Sequence, residues 1–388
     1  MLDFDNNFTT AAGSPRDNTE NSVRVMSASR PHVLLLGPAR TAISGVSTHL
    51  NHLFKSPLST SYELSQFQVG REGRTENRLG TLLRLVVSPF ALAICVVRRN
   101  PRIVHINTSF DAKGFWRDLA YLAVAKVLRR RTVYQVHGGA LPQELFPDSR
   151  WLTSLVRWTL SSPDVVVLLS EPEFAAHRKF APHVRTALIA NAVDIVGVEL
   201  NLERYASNRP LEIVYIGRLA ESKGVFDVVQ AVAMLRNRGI EVRLRLAGFG
   251  AAEEQIRQAI AQAQLSDQVQ LLGPVFGAAK EELWRSANVL AFPSHAEGLP
   301  YALLESMAAG VVPVITPVGG IPDVMQDQVH GVFVPPRNPQ ALADALERLH
   351  HDRPGLQRMA VAGRQRIVDQ YSVSRMAAEF QRLYSSLM

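Results

Sequence analysis

Twelve short apolar runs, separated by stretches of helical pattern, limit what this chain can fold into more than any other feature. In the first half they are HVLLLG (His32–Gly37), YELSQF (Tyr62–Phe67), RIVHINT (Arg102–Thr108), TVYQVHG (Thr132–Gly138), DVVVLLS (Asp164–Ser170) and TALIAN (Thr186–Asn191). In the second half they are EIVYIGR, VRLRLAG, QVQLLGPV, VLAFPS, VPVITP and GVFVPP. Unbroken Val/Ile/Leu runs indicate strands covered on both faces, as in parallel sheets. The stretches between them, such as FWRDLAYLAVAKVLRR, carry helical spacing. Strand and helix in strict alternation specify a doubly wound α/β architecture.

Residues 195–210 interrupt the alternation with a polar segment. A chain of 388 residues is long for one domain and natural for two. The expected fold class is therefore α/β, with two Rossmann-like, doubly wound parallel-sheet domains facing across a cleft. The expected divisions are a disordered tail over 1–30, a first domain over 31–200, a second over 201–370, and a C-terminal helix over 371–388 that packs back on the first domain. A doubly wound sheet takes ligands beyond the carboxyl ends of its strands. Most Gly-rich or charged motifs of this chain follow directly on a strand.

A single cysteine, Cys95, rules out a disulfide framework within the chain and a cysteine-based metal site. The first 30 residues are polar and lack the apolar core of a signal peptide. Asp3-Phe4-Asp5 in that tail imitates a metal-binding D-x-D but has no strand around it. The stretch LGTLLRLVVSPFALAICVV (Leu79–Val97) is apolar, yet Arg84 and Pro89 interrupt it, so it is expected to form a buried helix pair rather than a membrane span, with lying in the membrane surface as the alternative. Charge is uneven. Residues 30–131 hold 16 Lys and Arg against five acids, whereas residues 206–388 balance at 18 of each sign. Such a basic segment suits an anionic membrane surface or a phosphorylated ligand. Nucleic acid is not an expected partner, because interleaved aromatics are lacking.

Three motifs in the second half carry chemistry. In YIGRLAESKGVF, Arg218 and Lys223 flank a turn between a strand ending at Gly217 and a helix. Two cations beside a helix N-terminus suit a diphosphate. In LAGFGAAEE, Gly248 and Gly250 form an incomplete G-x-G-x-x-G. In FPSHAEGLPYALLESMAAG, Glu297 lies before a helix and Glu305 within it. Pro300 fits the first helical position. The two carboxylates are then about 7.5 Å or more apart along the axis, counting from Pro300 at 1.5 Å per residue. They can address different parts of one long ligand, with the amides of Gly298 and Leu299 between them. In the first half, Ser44-Gly45 opens a helix after a strand, and His137-Gly138-Gly139 ends another strand.

These motifs together resemble the retaining GT-B glycosyltransferases of family 4. E-x7-E (Glu297 to Glu305), GRL…KG, LAGFG, LLGPV and GVVPVITPVGGIPDVM carry the likeness over nearly the whole second half. The first half matches through Gly45, His137 and IANAVD (Ile189–Asp194, with Asn191–Asp194 at its end). The chain departs from the family pattern at Ser44, Ala192 and Asp323, where Gly, Gly and Glu are usual.

The resemblance implies a hexosyltransferase whose donor is a GDP- or UDP-sugar, without a cofactor or bound metal. Arg218 and Lys223 would hold the diphosphate, Glu305 the ribose, and Val275 the base. Glu297, Gly298 and Leu299 would meet the donor sugar, with His137 binding it from the first domain and acting with Glu297, Arg218 and Lys223 in catalysis. Gly45 would approach the phosphate, and Asn191, Gly217, Gly248, Gly250, Pro300 and Leu304 complete the implied donor site. Implied partners are a glycan or polyprenyl-diphosphate-linked acceptor and an anionic membrane surface. The implied location is the cytoplasm, peripheral at the inner face of the cell membrane. The alternatives are a nucleotide-sugar 2-epimerase and a non-catalytic nucleotide-sugar binding module.

Overall fold

A computed structural model describes residues 30–70, 78–195, 200, 202–206 and 209–388, with only the backbone given for 78–84. The expected tail with Asp3-Phe4-Asp5, Arg71 and Arg74 of the basic segment, and residues 196–199, 201, 207 and 208 of the interruption lie outside the described residues.

The first half supplies β1 (His32–Gly37), β2 (Glu63–Gln68), β3 (Ile103–Phe110), β4 (Arg131–Gly139), β5 (Val165–Leu168) and β6 (Thr186–Leu188). Helices α1 (Gly45–Lys55), α2 (Leu58–Ser61), α3 (Arg78–Arg99), α4 (Ala112–Val127), α5 (Arg150–Ser161) and α6 (Glu171–Phe180) connect them. The strands form one parallel sheet in the order β2-β1-β3-β4-β5-β6.

The second half repeats the plan with β7 (Leu211–Ile216), β8 (Val242–Ala247), β9 (Val269–Gly273), β10 (Val289–Phe292), β11 (Val312–Ile315) and β12 (Val332–Phe333). Its helices are α7 (Val225–Asn237), α8 (Glu253–Gln262), α9 (Gly277–Ser286), α10 (Tyr301–Ala308), α11 (Ile321–Val324), α12 (Pro339–His351), α13 (Arg353–Gln370) and α14 (Val373–Ser385). Its order is β12-β11-β10-β7-β8-β9, again parallel. This is the two-domain GT-B architecture that the motifs imply.

Both strand orders reverse at a switch point, between β1 and β3 in the first sheet and between β10 and β7 in the second. Crevices for ligands open at such points, outside the carboxyl ends of the strands. The loops after β7 and β10 hold Arg218, Lys223 and Glu297. The loop after β1 leads to Gly45.

One layer of the first sheet's core joins Leu34, Leu36, Val104 and Ile106 to helices α3, α4 and α5 through Leu92, Val96, Phe115, Tyr121, Val156 and Leu160. The opposite layer joins Val33, Leu35, Ile103 and Val133 to α1 and to α14 from the chain's end, through Leu50, Phe380 and Tyr384. The chain passes between the sheets twice, and the two passages are hydrogen-bonded. Val193 N donates to Tyr371 O at 2.9 Å, and Val373 N donates to Val193 O at 3.2 Å.

One expectation needs correction. Leu79–Val97 is not a buried helix pair but part of the single helix α3, which runs through Pro89. Pro89 removes one N–H from the ladder without ending the helix. Over residues 85–99 only one side of α3 is covered. Leu92 and Val96 are buried, whereas Val86, Phe90, Ile94 and Val97 on the opposite side are exposed. Cys95 packs half-buried at the edge of the core.

Candidate active site

The loop after β7 turns through a single 3-10 turn, Glu221–Lys223, before α7. It aims Lys223 at the loop after β10, where the ammonium donates to Glu297 Oε1 at 2.6 Å and to Ala296 O at 3.2 Å. Arg218 directly follows β7 and is exposed. Its carbonyl accepts from the Tyr215 hydroxyl at 2.8 Å. Burial pushes the Tyr215 phenol up; nearby Glu297 adds to the shift and Arg218 opposes it. Lys223 and Glu297 thus pair over the switch point of the second sheet, and the charges of Glu297 and Arg218 both reach Tyr215.

Gly248 and Gly250 have a role that the motif alone did not specify. Gly248 holds φ +147°, and a Cβ there would collide with the Gly217 carbonyl. A Cβ on Gly250 would collide with the Leu219 carbonyl. Both glycines let the loop after β8 lie against the turn that carries Arg218. Gly217, at the start of that turn, donates its N–H to Ala247 O at 3.0 Å.

Pro300 caps α10 rather than starting it, with extended backbone at ψ 133°, so the helix begins at Tyr301. Glu305 lies in the second turn of α10, and its Oε1 accepts from Lys280 Nζ of α9 at 2.6 Å. Lys280 was not singled out in the sequence, since it sits in an ordinary amphipathic helix 25 residues away. Leu304 is fully buried in the second core, which leaves only its backbone for the donor contact that the resemblance implies. Val275 packs half-buried just beyond β9, next to exposed Phe276, and Phe249 is exposed just beyond β8.

On the facing half, His137 Nε2 bonds to Asn107 Oδ1 at 2.8 Å. The Asn107 amide nitrogen donates to Leu36 O at 3.0 Å, which leaves Oδ1 as the acceptor. His137 therefore carries its proton on Nε2 and a lone pair on Nδ1. Burial, with His105 adding to it, pushes the His137 pKa down to about 3, so the ring is neutral. Asn107 carried no sequence signal, because its partners come from β1 and β4.

The two halves touch across the cleft. A Cβ on Gly138 would stand 3.2 Å from the Gly298 Cα, and one on Gly298 would stand 2.9 Å from the Gly138 Cα. Asn191 Nδ2 donates to Leu299 O at 2.8 Å. A Cβ on Gly45 would meet the Tyr301 ring at 3.6 Å, and Tyr301 also packs edge-on against His52. Asp323 Oδ2 accepts from Glu171 N at 2.7 Å, so an acid of the second half caps the first turn of α6. Behind it lies Glu173, whose carboxyl burial pushes up to about 7. Glu173 and Asp323 were outside the expected site. Among the described residues, no group of three or more His, Cys, Asp or Glu side chains could hold a metal ion.

Known proteins share this architecture. Residues 201–366 match the family "Glycosyl transferases group 1", and residues 56–196 match "Glycosyltransferase Family 4". The chain is similar to the amylovoran biosynthesis glycosyltransferase AmsK of Erwinia amylovora, 32% identical over 338 residues, covering 80% of this chain and 74% of that protein. It is 33% identical over 174 residues to a colanic acid biosynthesis glycosyltransferase, WcaL, of Salmonella typhimurium, covering 42% of this chain but only 43% of that relative. The chain thus spans less than half the length of that relative. Among solved structures, Anabaena HepE in complex with UDP-glucose superposes with a TM-score of 0.72 at 18% identity, over 92% of this chain and 99% of that one. The chain belongs to the GT-B glycosyltransferases of family 4.

Proposed function

We propose that this chain transfers a hexose of the mannose or glucose type from a GDP- or UDP-sugar to a glycan or polyprenyl-diphosphate-linked acceptor in surface-polysaccharide assembly, with retention of anomeric configuration and without a metal. The observation that carries this reading is the pair of ion pairs, Lys223–Glu297 and Lys280–Glu305, on the elements that flank the second switch point. Names of relatives in amylovoran and colanic acid biosynthesis support the polysaccharide setting. UDP-glucose bound to a fold neighbour supports a nucleotide-sugar donor.

In the proposed reaction the bond between the anomeric carbon and the β-phosphate oxygen breaks. The sugar gains oxocarbenium character, and the departing diphosphate gains negative charge. Arg218 and Lys223 stabilise that charge. Glu297 neutralises Lys223 while the site is empty. When donor binds, the carboxylate turns to sugar hydroxyls and the ammonium turns to phosphate. In many enzymes such preorganised charge stabilisation accelerates the reaction more than any other effect, each donor contributing about 2.7–4 kcal/mol. Glu305, held through one oxygen by Lys280, keeps its other oxygen for a ribose hydroxyl. Neutral His137 accepts a sugar hydroxyl at Nδ1 from the opposite side. Val275 and Phe276 offer an apolar rim to the base. The acceptor oxygen bonds to the anomeric carbon from the face the diphosphate leaves, passing its proton to the departing phosphate, which gives retention. Contact between the halves excludes water and limits hydrolysis.

A thermal-shift panel of UDP- and GDP-hexoses tests the donor, followed by incubation with and without acceptor in EDTA. Stabilisation by one base series and transfer that survives EDTA are expected. Conversion of donor alone into its C2 epimer would instead establish the 2-epimerase reading. Failure of every nucleotide sugar to bind would overturn the donor assignment.

A further inference from the structure

Helices α3, α4 and α5 cover the same layer of the first sheet, and each turns an apolar stripe away from the core. On α3 the stripe is Val86, Phe90, Ile94 and Val97, recurring at helical spacing opposite buried Leu92 and Val96. Phe90 is 68% exposed and Val97 63% exposed. A helix that is apolar on all sides belongs in a core or against lipid, yet only half of α3 is covered. On α4 the outward residues are Trp116, Ala120, Ala123 and Val127, opposite buried Asp118 and Leu122. On α5 they are Trp151 and Trp158, seven positions apart, 69% and 59% exposed and opposite buried Val156 and Leu160.

Within the three helices the exposed charge has one sign, while the exposed carboxylates Asp111, which caps α4, and Asp148, ahead of α5, stand at their N-terminal ends. Asp118 is the only acid in the three helices, and it is buried against Arg117. Exposed Arg98, Arg99, Lys113, Lys126, Arg150 and Arg157 border the stripes. Exposed tryptophans beside apolar side chains, in a cationic border, match the headgroup region of an anionic bilayer. No helix among the described residues is long and apolar enough to cross a membrane.

We infer that the outer face of α3, α4 and α5 lies in the surface of an anionic lipid bilayer, with the α3 stripe and the tryptophans entering the interface and the arginines and lysines meeting lipid phosphates. The three helices follow parallel strands, so their N-termini stand at the carboxyl edge of the sheet, where the cleft opens. The lipid face therefore runs up to the cleft rim, within reach of an acceptor whose lipid stays in the membrane. Only this purpose rests on the glycosyltransferase reading. Vesicle binding is measured with neither donor nor acceptor present.

The experiment is flotation of the full chain with phosphatidylcholine vesicles, with and without phosphatidylglycerol, at low and high salt. It compares wild type, Phe90→Glu with Trp158→Glu, and Arg98→Glu with Arg99→Glu. Tryptophan quenching by bromolipids reports depth, and circular dichroism with thermal unfolding reports folding. Wild type is expected to float with anionic vesicles, with quenched tryptophan and a residue of binding that survives salt. The apolar-face variant is expected to lose binding by about tenfold or more at both salt levels, and the arginine variant to lose chiefly the part that salt removes. Both are expected to stay folded. If wild type fails to float with anionic vesicles, or a folded apolar-face variant floats as well as wild type, the inference is overturned. A wild-type dimer in ultracentrifugation that Phe90→Glu dissociates, without lipid binding, would assign the face to a second copy and overturn it equally.

Discussion

Lys223 and Glu297, 74 residues apart, meet at 2.6 Å because their loops leave neighbouring strands, β7 and β10. The pair is largely shielded, with side-chain exposures of 18% and 12%. In the proposed reaction it stores a cation where the departing diphosphate needs one. Lys223→Ala is expected to lower kcat by roughly 10²–10³-fold while leaving secondary structure intact, as measured by initial rates and circular dichroism. A folded variant with wild-type kcat would remove Lys223 from the reaction.

Lys280 holds Glu305 from α9, so in the proposed donor site it acts on nucleotide affinity through another residue. Lys280→Met is expected to weaken binding of the preferred nucleoside diphosphate by roughly tenfold, the scale of about 1.5 kcal/mol for a hydrogen bond to a charged group. Glu305→Gln should weaken it to a similar degree, and the double variant by little more than either. Independent, additive losses in calorimetry would show that the two residues do not act together.

Asn107 fixes which nitrogen of His137 bears the proton. Asn107→Leu keeps the branched outline, with a somewhat larger volume, but removes the acceptor, at a cost of about 1–3 kcal/mol for an unsatisfied buried donor. The expected result is a fall in kcat/KM of roughly ten- to a hundredfold, with a changed tautomer in the ring's nitrogen NMR shifts. An unchanged tautomer with the same loss of activity would point to packing instead.

Glu173 ties stability to pH. Its folded pKa, about 7, exceeds the ordinary 4.5, because burial favours the neutral acid and Asp323 lies nearby. The folded state therefore holds this proton more tightly than the unfolded one. The benefit is complete below pH 4.5 and is lost as pH rises through about 7. The loss amounts to roughly 3 kcal/mol at full deprotonation. Denaturant titrations from pH 5 to 8 should show this decline in wild type and a flatter profile in Glu173→Gln. Equal slopes would separate Glu173 from the effect.

Strands were legible because each is a continuous apolar run; β1 falls on His32–Gly37 as expected, and the others differ by a few residues at their ends. The acidic pair and Lys223 were legible because a strand, loop and helix in sequence place them at the carboxyl edge. Lys280, Asn107 and Glu173 were not, since each gains its role from a partner on another element. The Leu79–Val97 stretch was misread for a different physical reason. Apolar side chains on every face of a helix signal burial when the alternative is water, and the sequence carries no mark of which side the protein leaves uncovered. The glycines of LAGFG were visible as a close-approach signal, but what approaches is the neighbouring Gly217–Leu219 backbone.

Calorimetric titration of UDP and GDP into wild type and into the folded Arg218→Ala, Lys223→Ala double variant bears most directly on the proposed diphosphate cradle. One of the two nucleotides should bind wild type and lose affinity by roughly a hundredfold or more in the variant, as expected for two charge-assisted contacts. Equal affinity for the variant and wild type would place the diphosphate elsewhere and contradict the assignment of Arg218 and Lys223.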